Sequence, residues 1–209
     1  MKEIIKAITP PIALLQLTRL YSRLHSNALF DGDDSLFKRS IHEDSIYAEY
    51  GCGASTIWVT KHIGCKVFSV DSSREWIDRV NQECSAFKQL TLHFVDIGSV
   101  GAWGRPVSYD KSGNFADYTD WIWAHDPDVV LVDGRFRVCC FLTCLISARR
   151  GTKILFDDYT NRPLYHIVEQ YLKPAETCGR QAMFIIPSVD MLDISSIRAA
   201  ITNFRFVLD

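Results

Sequence analysis

Apolar positions along the chain follow two alternating periods. Ile46-Tyr47-Ala48 and Lys66-Val67-Phe68-Ser69-Val70-Asp71 are short, β-prone runs. Each leads into helical spacing: Ile57-Trp58-Val59 after the first, and Trp76, Ile77 and Val80 after the second. This alternation predicts strands joined by helices, hence a parallel sheet with right-handed crossovers. Gly64 is placed to end the first helix, and Ser72-x-x-Glu75 reads as a capping box opening the second. Val138 to Ala148 is apolar all round and predicts a buried helix. Asn161 to Leu172 predicts another, with Tyr165, Val168, Tyr171 and Leu172 inward. Glu176 to Pro187 predicts a closing hairpin around Cys178-Gly179-Arg180. Ile194 to Ala200 predicts a helix, and Phe204-Arg205-Phe206-Val207 stays ambiguous.

The flanks and one insertion are less regular. Ile12 to Leu24 has apolar residues at helical spacing after Pro10-Pro11, which suits a helix start. It is either packed on the sheet's flank or a lid or dimer element. Asp31-Gly32-Asp33-Asp34 predicts a turn and Ser35 to Glu43 a short helix. Gly98 to Asp120 is long and rich in glycine and aromatics. A loop of that length in a compact domain is usually functional or disordered. Trp103 within it either closes over a ligand or anchors the loop, and Tyr118 to His125 predicts a short helix.

The centre of the pattern is Glu49-Tyr50-Gly51-Cys52-Gly53-Ala54-Ser55-Thr56, a strand, a tight glycine turn and a helix start. Gly51 and Gly53 permit a sharp turn and the close approach of a ligand. Free N–H groups at the helix start attract acceptors and anions. Asp71 ends the next strand about 20 residues on, where a carboxylate reaches ribose hydroxyls in doubly wound folds. The third glycine of a dinucleotide site is missing, because Ala54, Ser55 and Thr56 follow Gly53. That argues against the rival reading of an NAD-dependent oxidoreductase.

The combined pattern, E-Y-G-C-G-A-S-T followed by V-F-S-V-D-S-S, resembles the S-adenosylmethionine-dependent methyltransferases of the Rossmann-like class. Leu92 to Ile97, Asp128 to Gly134 and Ile154 to Tyr159 look like that family's third, fourth and fifth strands. The segment Val132-Asp133-Gly134-Arg135-Phe136-Arg137 is similar to one in small bacterial methyltransferase-like proteins. The resemblance spans roughly residues 45 to 187. It implies an α/β, doubly wound, mostly parallel sheet of about seven strands, with a C-terminal antiparallel hairpin and an N-terminal helical extension. A single domain over 45–209, with the extension over 1–44, follows. It also implies S-adenosylmethionine as cofactor, contacted by Glu49, Gly51, Gly53, Ser55, Thr56, Asp71, Ser72, Asp96, Ile97, Trp103 and Asp133.

The same resemblance suggests chemistry. Asp133, Asp157 and Asp158 look like the magnesium ligands of some O-methyltransferases, and magnesium would orient an acceptor hydroxyl and lower its pKa. Arg135 departs from that layout by replacing a second acid. Arg135 and Arg137 would instead suit a carboxylate or phosphate on the acceptor. His166 is the best placed candidate base, with His42 and His125 behind it. Catalysis would then rest on Asp133, Asp158 and His166, and the reaction would be methyl transfer to a small molecule, at oxygen. A non-catalytic cofactor-binding or interaction protein is the other rival, because fold does not give function.

Composition narrows the setting. At 209 residues, 47% hydrophobic and 23% charged, one α/β domain with a sizeable core is the default. A net charge of −2 gives no global pull toward nucleic acid or membrane. Seven cysteines cannot pair fully within one chain, which points to a reduced, cytoplasmic protein. Thr9-Pro10-Pro11 interrupts any secretory leader, and uncharged stretches are too short to span a bilayer.

Overall fold

The structure, a computed structural model, describes residues 29–30, 33–101 and 104–208. The helix expected over Ile12 to Leu24, Asp31-Gly32 of the expected turn, and Trp103 lie outside the described residues.

The order of elements is α1 (Ser35–Ser40), β1 (Ile46–Tyr50), α2 (Ala54–His62), β2 (Lys66–Asp71), α3 (Arg74–Glu83), β3 (Leu90–Phe94), α4 (Phe115–Asp120), β4 (Val129–Val132), α5 (Arg137–Ser147), β5 (Lys153–Phe156), β6 (Glu176–Cys178), β7 (Gln181–Ile185) and α6 (Ile194–Phe204). The strands form one seven-stranded sheet in the order β3-β2-β1-β4-β5-β7-β6. β1 to β5 run parallel, while β7 pairs antiparallel with β5 and β6 antiparallel with β7. The chain builds outward from β1 to β3, then returns to place β4 on the other side of β1. The reversal lies between β1 and β4, where a ligand crevice forms in such sheets.

β4 is Val129-Val130-Leu131-Val132, buried throughout, as strands covered on both faces must be. Alternation assigns its side chains to two cores. Tyr47, Val67, Val129, Leu131 and Leu155 pack with Phe30, Leu36 and Phe37 on one face. Ala48, Val70, Val130, Val132, Ile154 and Phe156 pack with α5, α6, Phe115 and Tyr118 on the other.

Local structure departs from the sequence pattern in four places. β3 ends at Phe94, earlier than Ile97, because its partner β2 ends at Asp71 opposite Phe94. The Gly98 to Asp120 stretch is not a loop throughout. A 3-10 turn (Ser112–Asn114) and α4 follow, since Phe115 and Tyr118 are fully buried and anchor the chain. The helix expected from Tyr118 to His125 is therefore α4 running into a 3-10 segment (Trp121–His125).

The third departure is after β5, where a 3-10 helix spans Pro163–Gln170. Tyr165 and Val168 are buried three residues apart, and Tyr171 packs on the same core three further on. That spacing fits the 3.0-residue period of a 3-10 helix. The fourth is the tail. α6 runs past Ala200 to Phe204, with Asp193 capping it by accepting from Ser196 N at 3.0 Å, and no strand forms over 204–207.

All seven cysteines are free thiols, six of them buried. Among the described residues no helix is long and apolar enough to cross a membrane.

Candidate active site

A cleft of about 1490 Å³ opens beyond the carboxyl ends of β1, β2, β4 and β5. Single small-molecule pockets run to about 300–1,000 Å³, so this one has room for two ligands side by side.

The turn after β1 forms its floor. Gly51 has φ 93°, and a Cβ there would stand 2.7 Å from Gly134 Cα. A Cβ on Gly134 would stand 2.7 Å from Gly51 N and 2.1 Å from Tyr118 Oη. The ends of β1 and β4 thus touch backbone to backbone, glycine on glycine. Gly53 differs: it is extended, and a Cβ on it would meet nothing within 4 Å. It borders the cleft, so that space is the cleft itself.

The turn's own amides are satisfied from within. Gly51 N donates to Val70 O, Cys52 N to Asp71 Oδ2 at 2.7 Å, and Gly53 N to Thr56 Oγ1 at 2.8 Å. Asp71 Oδ1 also accepts from Ser73 N at 2.6 Å, so one carboxylate ties the turns after β1 and β2 together. Burial pushes the Asp71 carboxyl up, against the amides that donate to it. A carboxylate has about four acceptor sites. Asp71, at the cleft wall, therefore keeps capacity for a ribose hydroxyl.

Ser73, not Ser72, caps α3, accepting from Trp76 N at 3.3 Å. The capping box expected at Ser72 is shifted by one because the Asp71–Ser73 hydrogen bond sets where the helix starts. Ser72 is left on the cleft wall.

Several expected cofactor contacts lie elsewhere. Glu49 is fully buried beneath the turn, off the cleft wall. Its Oε2 accepts from Tyr47 Oη and Ser55 Oγ, both at 2.8 Å, and Oε1 has no partner. It is a strut between β1 and α2. Ser55 reaches the cleft, while Thr56 is buried and spent on Gly53 N. Asp96 turns back to Gly98 N at 3.0 Å and lies 3.6 Å from Lys111 Nζ, away from the cleft. Ile97 sits in the core. Both follow from the early end of β3, which lets the chain turn before Asp96 reaches the sheet edge. Arg74, stacked 3.7 Å over Phe94, and Trp76 stand on the wall there instead.

Burial raises the Glu49 carboxyl to about 7 from an ordinary 4.5. A raised folded-state carboxyl favours folding at low pH, and that stability is lost as pH rises through about 7. Glu49→Gln should therefore flatten stability against pH, removing a loss of roughly 3 kcal/mol between about pH 4.5 and above pH 7. Denaturant titrations at pH 5 and pH 8 measure this. An unchanged slope would show that another group controls it.

At the other end of the cleft Asp133, Asp157 and Asp158 converge, with carboxylate oxygens within 4.8 Å of one another. Three arginines already occupy the space between them. Arg137 Nη2 lies 2.8 Å from Asp133 and Nη1 3.3 Å from Asp158, and it also donates to the carbonyls of Asp133, Gly134 and Asp157. Arg180 grips Asp157 with Nε at 3.0 Å and Nη2 at 2.5 Å. Arg162 Nη2 reaches Asp158 at 2.8 Å.

Burial works against ionising Asp158, but Arg137, Arg180 and Arg162 outweigh it and hold its carboxyl below the ordinary value. Burial pushes Asp157 up, Asp133 adds to this, and Arg180 opposes it. Three guanidiniums offset every carboxylate of the cluster, so no net negative charge is left for a divalent ion to neutralise. Asp157 is also sealed from the water that magnesium retains. The residues do not fit a magnesium site.

His166 does not face the cleft. Its Nε2 donates to Tyr159 O at 3.0 Å and its ring lies against Tyr159. Chain geometry explains this, because the 3-10 segment turns Tyr165 inward and His166 outward. Arg162 and Arg180 were missed by sequence reasoning. The signal for Arg180 is the hairpin: Phe156 pairs with Ala182, so the hairpin turn before Ala182 lies beside the residues that follow Phe156. Backbone strain marks the same region. Phe136 (φ 53°) and Asp158 (φ 58°) both adopt left-handed conformations, each costing on the order of 1–3 kcal/mol and typical of functional sites.

The chain is similar to a methyltransferase-like protein from Silicibacter pomeroyi, at 35% identity over 78% of this chain and 89% of that one, with a TM-score of 0.67. In fold it also resembles a TehB-like S-adenosylmethionine-dependent methyltransferase from Corynebacterium glutamicum, at 12% identity over 84% and 97% of the two chains, with a TM-score of 0.50. No protein-family profile matches the chain, and no curated protein matches it by sequence. The 35% relative, the sheet order and the glycine turn agree: the chain belongs to the S-adenosylmethionine-dependent methyltransferase superfamily, with its methyltransferase-like proteins.

Proposed function

We propose that this protein transfers the methyl group of S-adenosylmethionine to an oxygen of a small-molecule acceptor, without a metal ion. The observation that carries the reading is Gly53. Its missing Cβ opens onto a cleft at the switch point of the sheet, which supports a ligand resting directly on the turn. Bound S-adenosylmethionine supplies an electrophilic methyl group for in-line transfer. Ala54 and Ser55 line the cleft at the start of α2, where the first N–H groups of a helix have no intrahelical partner, which suits the amino-acid carboxylate. Asp71 suits the ribose. The acceptor takes the remaining volume, toward Arg162 and Tyr165. Catalysis is then chiefly alignment of acceptor and methyl group.

A thermal-shift screen with S-adenosylmethionine, S-adenosylhomocysteine, NAD and NADP tests the cofactor class. The first two should raise Tm and the nicotinamides should not. Stabilisation by NAD alone would favour the oxidoreductase reading.

The metal-free mechanism has its own test. Magnesium titrated into the S-adenosylhomocysteine-saturated protein should show no saturable site below millimolar concentration. A tighter site that Asp158→Asn removes would restore the metal mechanism.

A further inference from the structure

Resting on the methyl-transfer reading, we propose that the acceptor is a carboxylic acid, bound as its carboxylate by Arg162 and converted to a methyl ester.

The first support is the charge of the wall. Arg74, Arg105, Arg135, Arg137, Arg162 and Arg180 line the cleft, against four carboxylates. Arg137 is buried and Arg180 half-buried among their aspartates, but Arg162 is 53% exposed, with Nη2 on Asp158 and Nη1 at 3.4 Å from Tyr165 Oη. Arg105 is exposed and makes no ion pair among the described residues. Guanidinium groups so placed take a carboxylate by charge-assisted hydrogen bonds. An ammonium acceptor would be repelled by the same wall.

The second support is what the wall lacks. A hydroxyl acceptor must lose a proton, so it needs a base. Among the described residues, no histidine and no lysine lines the cleft. Asp71 holds turn amides with both oxygens and spends its remaining capacity on the ribose, Asp133 and Asp158 are paired to guanidiniums, and Tyr165 Oη accepts from Arg162 Nη1 at 3.4 Å. Tyr118 Oη is buried and accepts from Arg135 N. Glu75, the remaining carboxylate, is exposed at the start of α3, where water competes for it.

A carboxylate needs no base. One of its oxygens can rest on a guanidinium while the other attacks. That oxygen forms the new O–CH₃ bond as the S–CH₃ bond breaks, and the electron pair of the broken bond stays on sulfur. The anionic acceptor and the cationic sulfonium give a neutral ester and a neutral thioether, and no proton moves.

The test uses the whole chain. Calorimetry with S-adenosylhomocysteine comes first, and failure to bind would sink the methyl-donor reading itself. On the saturated protein, phenylacetate should bind, with phenylacetamide and phenethylamine about tenfold weaker or more. Arg162→Ala should weaken phenylacetate about tenfold, as for one lost charge-assisted hydrogen bond, and leave S-adenosylhomocysteine affinity unchanged. Methyl-labelled S-adenosylmethionine should then label at least one of phenylacetate, benzoate, succinate and citrate, in a form that base releases as methanol. Equal or tighter binding of the amide or amine overturns the proposal. So does label that survives base, or no label from any of the four acids on a protein that binds S-adenosylhomocysteine.

Discussion

Gly53→Val should abolish S-adenosylhomocysteine binding and leave the protein folded. The two halves of this expectation come from one geometry. The backbone at Gly53 is extended, so a side chain brings no φ strain, and nothing of the protein lies within 4 Å of the Cβ position. Valine at the start of α2 costs only ~1 kcal/mol as a poor N-cap. The added isopropyl group instead fills the cleft where the ligand would rest. Circular dichroism and thermal unfolding should stay near wild type, while calorimetric heat disappears. Retained affinity in a folded variant would mean that the ligand sits elsewhere in the cleft.

Gly134→Ala should do the opposite and destroy the fold before the site. Its Cβ would lie 2.1 Å from Tyr118 Oη, 2.7 Å from Gly51 N and 2.8 Å from Tyr50 C. Two of these are backbone atoms of the sheet's central strand and its turn, which cannot move without breaking the pairing of β1 with β2 and β4. The third belongs to a fully buried ring stacked on Tyr50. Overpacking usually costs 1–3 kcal/mol, and a clash shared by two backbones belongs at or above the upper end, at least ~3 kcal/mol. Urea unfolding would measure it. A loss below about 1 kcal/mol would mean that the ends of β1 and β4 are looser than they look.

Much of the sheet was legible because its signals are local. β2 falls on Lys66–Asp71, where the apolar run is, and the hairpin turns at Gly179 (φ 56°), where a glycine stands between two strand-like runs. Errors arose where a distant partner decides. β3 stops because β2 stops. Ser73 takes the cap because Asp71 binds its amide.

The site was harder to read for the same reason. Glu49 looks like a ligand contact in a list of residues, yet it is a buried strut, because strand alternation points it under the turn. The acidic cluster looks like a metal site until Arg180 arrives from a hairpin more than twenty residues later.

In the function proposed above, the turn at Gly51 and Gly53 holds the methyl donor. Calorimetric titration of the wild-type protein with S-adenosylhomocysteine tests this. The predicted result is one saturable site of micromolar affinity, absent in Gly53→Val. Saturable binding of NAD with no heat from S-adenosylhomocysteine would contradict it.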